Sequence, residues 1–292
     1  MPKEKIAYLP STTDSIDGWN KQLSEETIRF YLNEIDSLCR STLAYPKRDY
    51  IVQIARFDPS KGLEDCLASY AEFRRNSEFC KNKTTKYTPQ LVLCGHSSVD
   101  DPDSTRIFND VMTALEESYS DLKGSVIVMR LGHSDQMLTT LLSCSRVALQ
   151  LSTSEGFVVK VSEALHKGIP VIARDVGGLP LQIQHGMSGN LVRGSTKNEE
   201  IKQVAKHTET LFTDKDGYEQ MSAYAKSHIS DEVGTVGNAI CWMYLTDRLT
   251  SGKELKPAER WVWDMAREQI EKKVSEDLVP TDVYASVEDL YF

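Results

Sequence analysis

The sequence predicts an α/β fold built on a doubly wound parallel sheet, and two observations lead to that prediction. From residue 50 onward, short apolar segments alternate with longer amphipathic segments in units of roughly 20 to 40 residues. The apolar segments are almost continuous, as in strands that helices cover on both faces of a parallel sheet. With 292 residues, 40% of them hydrophobic, the chain is long enough to bury such a core.

The predicted elements alternate regularly along the chain. The strand segments cover residues 50–56, 90–95, 125–132, 147–153 and 169–174. The helical segments, whose apolar residues recur at helical spacing, cover residues 63–75, 107–119, 134–145 and 158–167. Ser134 is expected to cap the third of these helices. Folds of this class bind ligands in the loops that follow the strands, so we expect the functional site in those loops.

The predicted sheet occupies only the middle of the chain. We expect residues 1–49 to form a linker and an N-terminal helix, without a strand, and residues 50–232 to form a Rossmann-like domain. Residues 233–292 are expected to form C-terminal helices and a polar tail, with a Trp-bearing amphipathic helix over 258–274. The chain is thus predicted to carry one sheet-based domain with helical flanks.

Charge and composition exclude some classes of protein. A net charge of −9 argues against a general nucleic-acid-binding protein, which needs a basic face for phosphates. No apolar segment approaches the ~20 residues that span a bilayer, and the N-terminus lacks the apolar core of a secretory signal. We therefore expect a cytoplasmic chain without a membrane partner, in which the six cysteines are buried thiols.

Neither the cysteines nor the six histidines are spaced as metal ligands. The sequence therefore predicts no metal site, and histidines that are solvated or packed in the core. His96 and His133 follow predicted strands, so they are the two histidines with a candidate functional role.

Two cations stand at the end of the first predicted strand. Arg56 ends that strand, and Lys61 lies five positions further on, across a turn that contains Pro59 and is closed by Gly62. An arginine binds phosphate oxygens in a bidentate manner and a lysine adds a point charge, so the pair suits a phosphate. Exposed charges that merely flank a turn are the alternative.

A second group of candidates lies in the segment SEGFVVKVSEALHKGIPVIARDVGGLP. Gly156 stands where a loop leads into a helix, whose free N–H groups and dipole favour an anion. Glu155 would repel a phosphate at that turn, so it is better suited to accept sugar hydroxyls. Glu163 is either a buried acid beside bound hydroxyls or a solvated side chain. Gly177 and Gly178 either let the backbone approach a ligand or form a simple turn.

These segments together resemble a known family. RFDPSKG (56–62), the segment quoted above and HGMSGNLV (185–192) are similar to the C-terminal, donor-binding domain of retaining GT-B glycosyltransferases, which carries two glutamates separated by seven residues. Within that superfamily the chain most resembles the trehalose phosphorylase and trehalose synthase group, which shares Leu181-Gln182 after the GGLP turn. The resemblance covers residues 48–230.

The resemblance implies a fold, a reaction and a set of roles. The domain would be one half of a GT-B fold, and α,α-trehalose and phosphate would give α-D-glucose 1-phosphate and D-glucose, with retention at the anomeric carbon. No metal or cofactor is required. The implied catalytic residues are Arg56, Lys61 and Glu155. The implied substrate-binding residues are Gly156, Phe157, Val158, Glu163, Gly177 and Gly178.

Two departures from the family leave alternatives open. Many relatives carry a glycine at the position of Val158, so the backbone here is expected to approach the sugar differently. Only 49 residues precede the first predicted strand, so we expect this chain to lack an acceptor-binding domain and to work with another domain or self-associate. The alternatives are a trehalose synthase domain that uses a nucleoside diphosphate glucose, with Glu163 on its ribose, and a non-catalytic sugar-phosphate-binding protein.

Overall fold

The structure, a computed structural model, describes residues 2–13, 22–38, 42–95, 103–132, 134–229 and 231–276. The chain divides into two compact units. The large unit is Thr13–Ile229, and the small unit combines Met1–Thr12 with Ser230–Phe292. The first residues of the chain thus belong with its C-terminal helices.

Eight strands and ten α-helices lie within the described residues. The strands are β1 (Ala7–Tyr8), β2 (Tyr50–Ile54), β3 (Gln90–Gly95), β4 (Val126–Arg130), β5 (Val147–Gln150), β6 (Val171–Arg174), β7 (Gly189–Val192) and β8 (Arg260–Trp261). The helices are α1 (Glu25–Leu38), α2 (Leu63–Asn76), α3 (Glu78–Lys81), α4 (Asp103–Glu117), α5 (Asp135–Ser143), α6 (Val159–His166), α7 (Lys197–Thr213), α8 (Lys215–Ser227), α9 (Thr235–Thr250) and α10 (Val262–Glu276). None of these helices has the length and apolar character needed to span a membrane.

The large unit is built on a six-stranded parallel sheet with the order β4-β3-β2-β5-β6-β7. This confirms the predicted α/β class and doubly wound sheet. The sequence does not predict β7, because its four residues include Gly189 and Asn190, which are poor strand formers. The chain builds outward from β2 on one side and from β5 on the other, so the strand order reverses between them. Ligands of such sheets bind in the crevice that this reversal opens at the carboxyl ends of the strands.

The core lies on both faces of this sheet. Along β3, Leu91 and Leu93 pack into one buried cluster, and Val92 and Cys94 pack into the other. Successive residues of a strand point to opposite faces, so a strand buried on both faces needs apolar residues at every position. This is the physical reason for the nearly continuous apolar segments of the sequence.

The ends of some elements differ from those predicted. The strand predicted over 50–56 ends at Ile54, so Arg56 lies in the loop that follows it. Ser134 caps α5 as predicted, because its hydroxyl accepts a hydrogen bond from the N–H of Met137 at 3.4 Å.

The small unit contains a strand pair of its own. β1 pairs in parallel with β8, and the ring of Tyr8 packs against that of Trp261 with 5.5 Å between centroids. The prediction that residues 1–49 hold no strand is therefore wrong. Cys241 and Met265 are buried beside this pair in the core of the unit.

The helix predicted over 258–274 is wrong at its start. α10 begins at Val262, and Trp261 belongs to β8 instead. Ala258 and Glu259 have positive φ angles of 46° and 60°, which a right-handed helix excludes. The segment therefore turns before the helix begins.

Candidate functional site

The candidate site lies where the strand order reverses, between the loops that follow β2 and β5. Gln53, fully buried on β2, donates to the carbonyl of Lys61 at 2.7 Å and accepts from the N–H of Leu151 at 3.1 Å. The N–H of Thr153 also donates to the carbonyl of Ser60 at 2.8 Å. These bonds fix two loops that are far apart in the sequence against each other.

Lys61 and Glu155 meet at this junction. The ammonium group of Lys61 lies 2.6 Å from Oε1 of Glu155, and the two side chains are only 15% and 13% exposed. The same oxygen accepts from the hydroxyl of Ser152 at 2.7 Å and from Nε2 of Gln150 at 3.0 Å. All three bonds go to Oε1, and no donor in the described part of the chain binds Oε2.

Leu151 is held at the end of β5 by a buried charge network. Its carbonyl accepts from Nη1 of Arg174 at 2.7 Å, and Arg174 pairs with Asp65 and Glu200, each at 2.9 Å. A Cβ at Gly62 would lie 2.1 Å from that carbonyl oxygen, and φ there is +64°, so the position requires glycine. The start of α2 is thereby pressed against the end of β5.

Gly177 and Gly178 support the loop that carries Glu155. A Cβ at Gly177 would lie 1.8 Å from the carbonyl oxygen of Glu155, and φ at Gly177 is +57°. The N–H of Gly178 donates to the carbonyl of Gly156 at 3.1 Å. The two glycines therefore permit a close backbone approach, and the backbone that they approach is that of residues 155 and 156.

Arg56 is the exposed cation of the candidate set. Its side chain is 48% exposed, and its contact with Asp58 is long, at 3.9 Å. Asp58 is bound more closely by Ser60, which donates its hydroxyl at 2.6 Å and its N–H at 2.8 Å; the hydroxyl bond is the main cause that lowers the pKa of Asp58. Lys61 is thus committed to a close ion pair, whereas Arg56 is not.

The start of α6 is fixed by a residue of the GGLP turn region. Val158 is the N-cap of α6, and its φ of −102° is open to any residue, so glycine is not needed there. With its amide oriented to satisfy its neighbours, Gln182 accepts from the N–H of Val158 at 3.1 Å and donates to its carbonyl at 2.9 Å. Phe157 is half-buried and Gly156 is exposed just before this cap.

Glu163 is a buried acid, which is one of the two possibilities that the sequence leaves open. It is 4% exposed, and its Oε1 accepts from the hydroxyl of Thr13 at 3.4 Å. Thr13 is itself 4% exposed. The segment that precedes the sheet thus supplies a contact to α6.

Lys160 is a charged residue near the site that the sequence reasoning missed. Burial lowers the pKa of Lys160, and the positive charges of Lys61 and Arg56 lower it further, against the opposing influence of Cys94 and Glu163. Its spacing of three positions from Glu163 on a predicted helix was the available signal, because such residues are neighbours on one helix face.

The histidine candidates His96 and His133 lie outside the described residues. His185 accepts from the N–H of Leu191 through Nδ1 at 3.0 Å, and its ring packs edge-on against that of His207. No group of three or more His, Cys, Asp or Glu residues within the described ranges is arranged to hold a metal ion. The chemistry that this part of the chain offers a ligand is that of cations, carboxylates and backbone amides.

Known proteins share both the sequence and the fold of this chain. Residues 35–228 match the family model described as glycosyl transferases group 1. A trehalose phosphorylase from Grifola frondosa is 47% identical over 276 residues, which are 92% of this chain and 37% of that protein. A trehalose synthase from Thermococcus litoralis is 32% identical over 231 residues, which are 79% of this chain and 50% of that protein.

A solved glycosyltransferase structure supports the same grouping. The sucrose-phosphate synthase of Thermosynechococcus elongatus superposes with a TM-score of 0.61 at 20% identity, over 84% of this chain and 53% of that one. The chain thus spans 37% of the length of its fungal relative and half of its archaeal relative. Because the family model matches well over half of its residues, the chain belongs to the glycosyl transferases group 1 family.

Proposed function

We propose that this chain is the donor-binding part of a trehalose phosphorylase. One observation carries the proposal: Lys61 and Glu155 are in contact at 2.6 Å where the strand order of the sheet reverses. A cation and an acceptor of hydroxyl hydrogen bonds side by side are the groups that a sugar phosphate requires. The choice of trehalose and phosphate rests on the 47% identity to the fungal trehalose phosphorylase.

The proposed reaction transfers a glucosyl group reversibly between glucose and phosphate. The bond between C1 of one glucose and the bridging oxygen of α,α-trehalose breaks, and a phosphate oxygen forms a bond to the same C1 with retention of configuration. The bridging oxygen leaves with the other glucose and takes up the proton of the hydrogen phosphate. The products are α-D-glucose 1-phosphate and D-glucose, and the balance needs no further reactant.

The charged residues have distinct proposed roles. Arg56 binds the phosphate, because its exposed guanidinium group is able to donate two parallel hydrogen bonds to phosphate oxygens. Lys61 orients Glu155 and adds positive charge beside the same phosphate, which stabilises the charge that develops as phosphate leaves in the reverse direction. Glu155 accepts hydroxyl hydrogens of the glucosyl group through Oε2.

Backbone groups complete the proposed site. Gly156 and Phe157 precede the first turn of α6, where N–H groups and the helix dipole favour an anion. Val158 begins the helix, and Gly177 and Gly178 hold the backbone before it in place through their close approach. The acceptor-binding part is proposed to come from a further segment, another chain or a second copy, since the chain spans 37% of its fungal relative.

A nucleoside diphosphate glucose is the second candidate donor, favoured by the 32% identity to the archaeal trehalose synthase. Glu163 would then accept hydroxyls of the ribose. A carboxylate that is 4% exposed and bound by Thr13 is poorly placed for that role, so we favour phosphate.

Calorimetric titration tests the proposal. The chain is titrated with phosphate, glucose 1-phosphate, UDP-glucose and GDP-glucose, in parallel with Arg56→Ala and with Arg106→Ala, a control that removes an exposed arginine from α4. We expect phosphate and glucose 1-phosphate to bind the wild type and the control, and to bind Arg56→Ala more weakly. Binding of nucleotide sugars alone would transfer the function to a synthase; binding of none of the four would contradict both donors.

A further inference from the structure

A third cation stands near Arg56 and Lys61. Lys160 lies on the first turn of α6, and its side chain is partly buried. Its charge interacts repulsively with those of Lys61 and Arg56, so its ammonium group is within electrostatic range of both. The three cations come from two segments, the loop after β2 and the start of α6, and they therefore bound one space from two directions.

The surroundings of Lys160 disfavour its charge when no anion is bound. Burial has the largest effect on its pKa and lowers it, and Lys61 and Arg56 act in the same direction, while Cys94 and Glu163 oppose them. A bound dianion offsets both the lost solvation and the repulsion between like charges. The free energy that the empty site loses through these effects is therefore recovered when a phosphate binds.

We propose that Lys160 is a phosphate-binding residue of the donor site and that, with Arg56 and Lys61, it selects ligands with a terminal phosphate group. The inference rests on the proposed function and adds to it a ligand contact from α6. A terminal phosphate carries about two negative charges and three exposed oxygens at neutral pH, so contacts from two sides suit it. A phosphodiester, as in a nucleotide sugar, presents less charge on each phosphorus and must also accommodate the nucleoside.

Glu163 supports the same selection. It lies three residues after Lys160 on α6, it is 4% exposed, and its Oε1 accepts from Thr13. A carboxylate that binds ribose must offer its oxygens to the ribose hydroxyls. Here the carboxylate is engaged by groups of its own chain and balances part of the positive charge beside it, which leaves the phosphate as the recognised group.

Calorimetry with inorganic phosphate as the probe tests the proposal on the whole chain. Four proteins are compared: the wild type, Lys160→Met, Lys160→Arg, and Lys167→Met as the matched control, which removes a lysine at the opposite end of α6. Loss of one charged hydrogen bond predicts binding weakened by about tenfold or more in Lys160→Met. Lys160→Arg should keep most of the affinity, and Lys167→Met should match the wild type.

A second measurement uses the wild type alone, so it does not depend on whether Lys160→Met folds. An amine-reactive reagent is applied with and without phosphate, and the modified peptides are counted by mass spectrometry. Phosphate should slow modification of Lys160 and leave Lys167 unchanged. Equal rates at Lys160 with and without phosphate, when phosphate binding has been measured, overturn the proposal.

The outcomes separate this inference from the proposed function. If the wild type binds phosphate and Lys160→Met binds it equally well, Lys160 is not a phosphate-binding residue and the proposed function stands. If the wild type binds neither phosphate nor glucose 1-phosphate, the proposed function fails and this inference fails with it. Tighter binding of UDP-glucose than of glucose 1-phosphate to the wild type overturns the proposed selection.

Discussion

Lys61 and Glu155, 94 positions apart in the sequence, form an ion pair of 2.6 Å that ties the loop after β2 to the loop after β5. Removing two charges from water costs free energy that the pair recovers only when its geometry is good and further hydrogen bonds satisfy the remaining groups. Ser152 and Gln150 supply such bonds to the carboxylate. The pair therefore fixes the relative position of two loops that carry most of the proposed ligand contacts.

A double-mutant cycle measures this coupling. Lys61→Met leaves Glu155 largely buried without its counter-ion, so we expect the free energy of unfolding to fall by about 1–3 kcal/mol in urea titrations. Lys61→Met/Glu155→Gln should lose less than the sum of the two single variants, because the partners interact directly. Lys81→Met, which breaks an exposed pair with Glu78, is the control and should change stability little. Strict additivity at the first pair would contradict the coupling.

Gly177→Ala should be more damaging than a glycine substitution with the same backbone strain. Gly186 also has a positive φ, +78°, but no atom lies within 4 Å of a Cβ there, so Gly186→Ala should cost only about 1–2 kcal/mol of conformational strain. Gly177→Ala adds a contact of 1.8 Å with the carbonyl oxygen of Glu155, which must move. Thermal unfolding and phosphate titration of both variants are the measurements; equal losses in stability would show that the close approach is unimportant.

Arg174→Met should destabilise the large unit by about 3 kcal/mol or more, because it leaves Asp65 and Glu200 with less positive charge and Leu151 without its donor. Arg193→Met, which removes a 78% exposed arginine, is the matched control and should have a small effect. Urea unfolding at neutral pH compares the two. Similar midpoints would indicate that the buried network contributes little.

Acidification should destabilise the chain partly through His207. Burial lowers the pKa of His207, and the nearby His185 and Lys206 lower it further. The unfolded chain then binds the proton more readily, so stability is complete above about pH 6.5 and is lost as the pH falls below it. Melting temperatures at about pH 7.5 and about pH 5.5 should therefore differ less in His207→Gln than in the wild type. His228→Gln, at an exposed position, is the control; an equal decline in all three proteins would exclude this role for His207.

Most of the architecture was predictable because it depends on local patterns. The alternation of residues such as Leu91 and Val92 between two buried clusters leaves a continuous apolar segment that identifies a strand. The cap at Ser134 is likewise a local signal. Trp261 was misassigned because its strand pairs with β1, at the other end of the sequence, and a helical pattern in one segment carries no information about such a distant partner.

The candidate site was predictable only in its parts. The turn at Lys61 and the segment around Glu155 each stand out from the sequence, but their contact depends on β2 and β5 being neighbours in the sheet. Gln53 was missed because a glutamine within an apolar segment gives no sign of the two carbonyl and amide groups that it binds in distant loops. Lys160 was missed because its charge neighbours come from β2 and β3 as well as from its own helix.

The bond from the N–H of Gly178 to the carbonyl of Gly156 makes one amide proton a reporter of the proposed site. Exchange of that proton with deuterium requires the bond to open, so its rate follows the detachment of the Glu155 loop from the glycine turn. A ligand that rests on the loop should slow this exchange, whether or not turnover occurs. Occupancy can thus be followed in a chain that spans only part of its relatives, at a single resonance and without an assay for product.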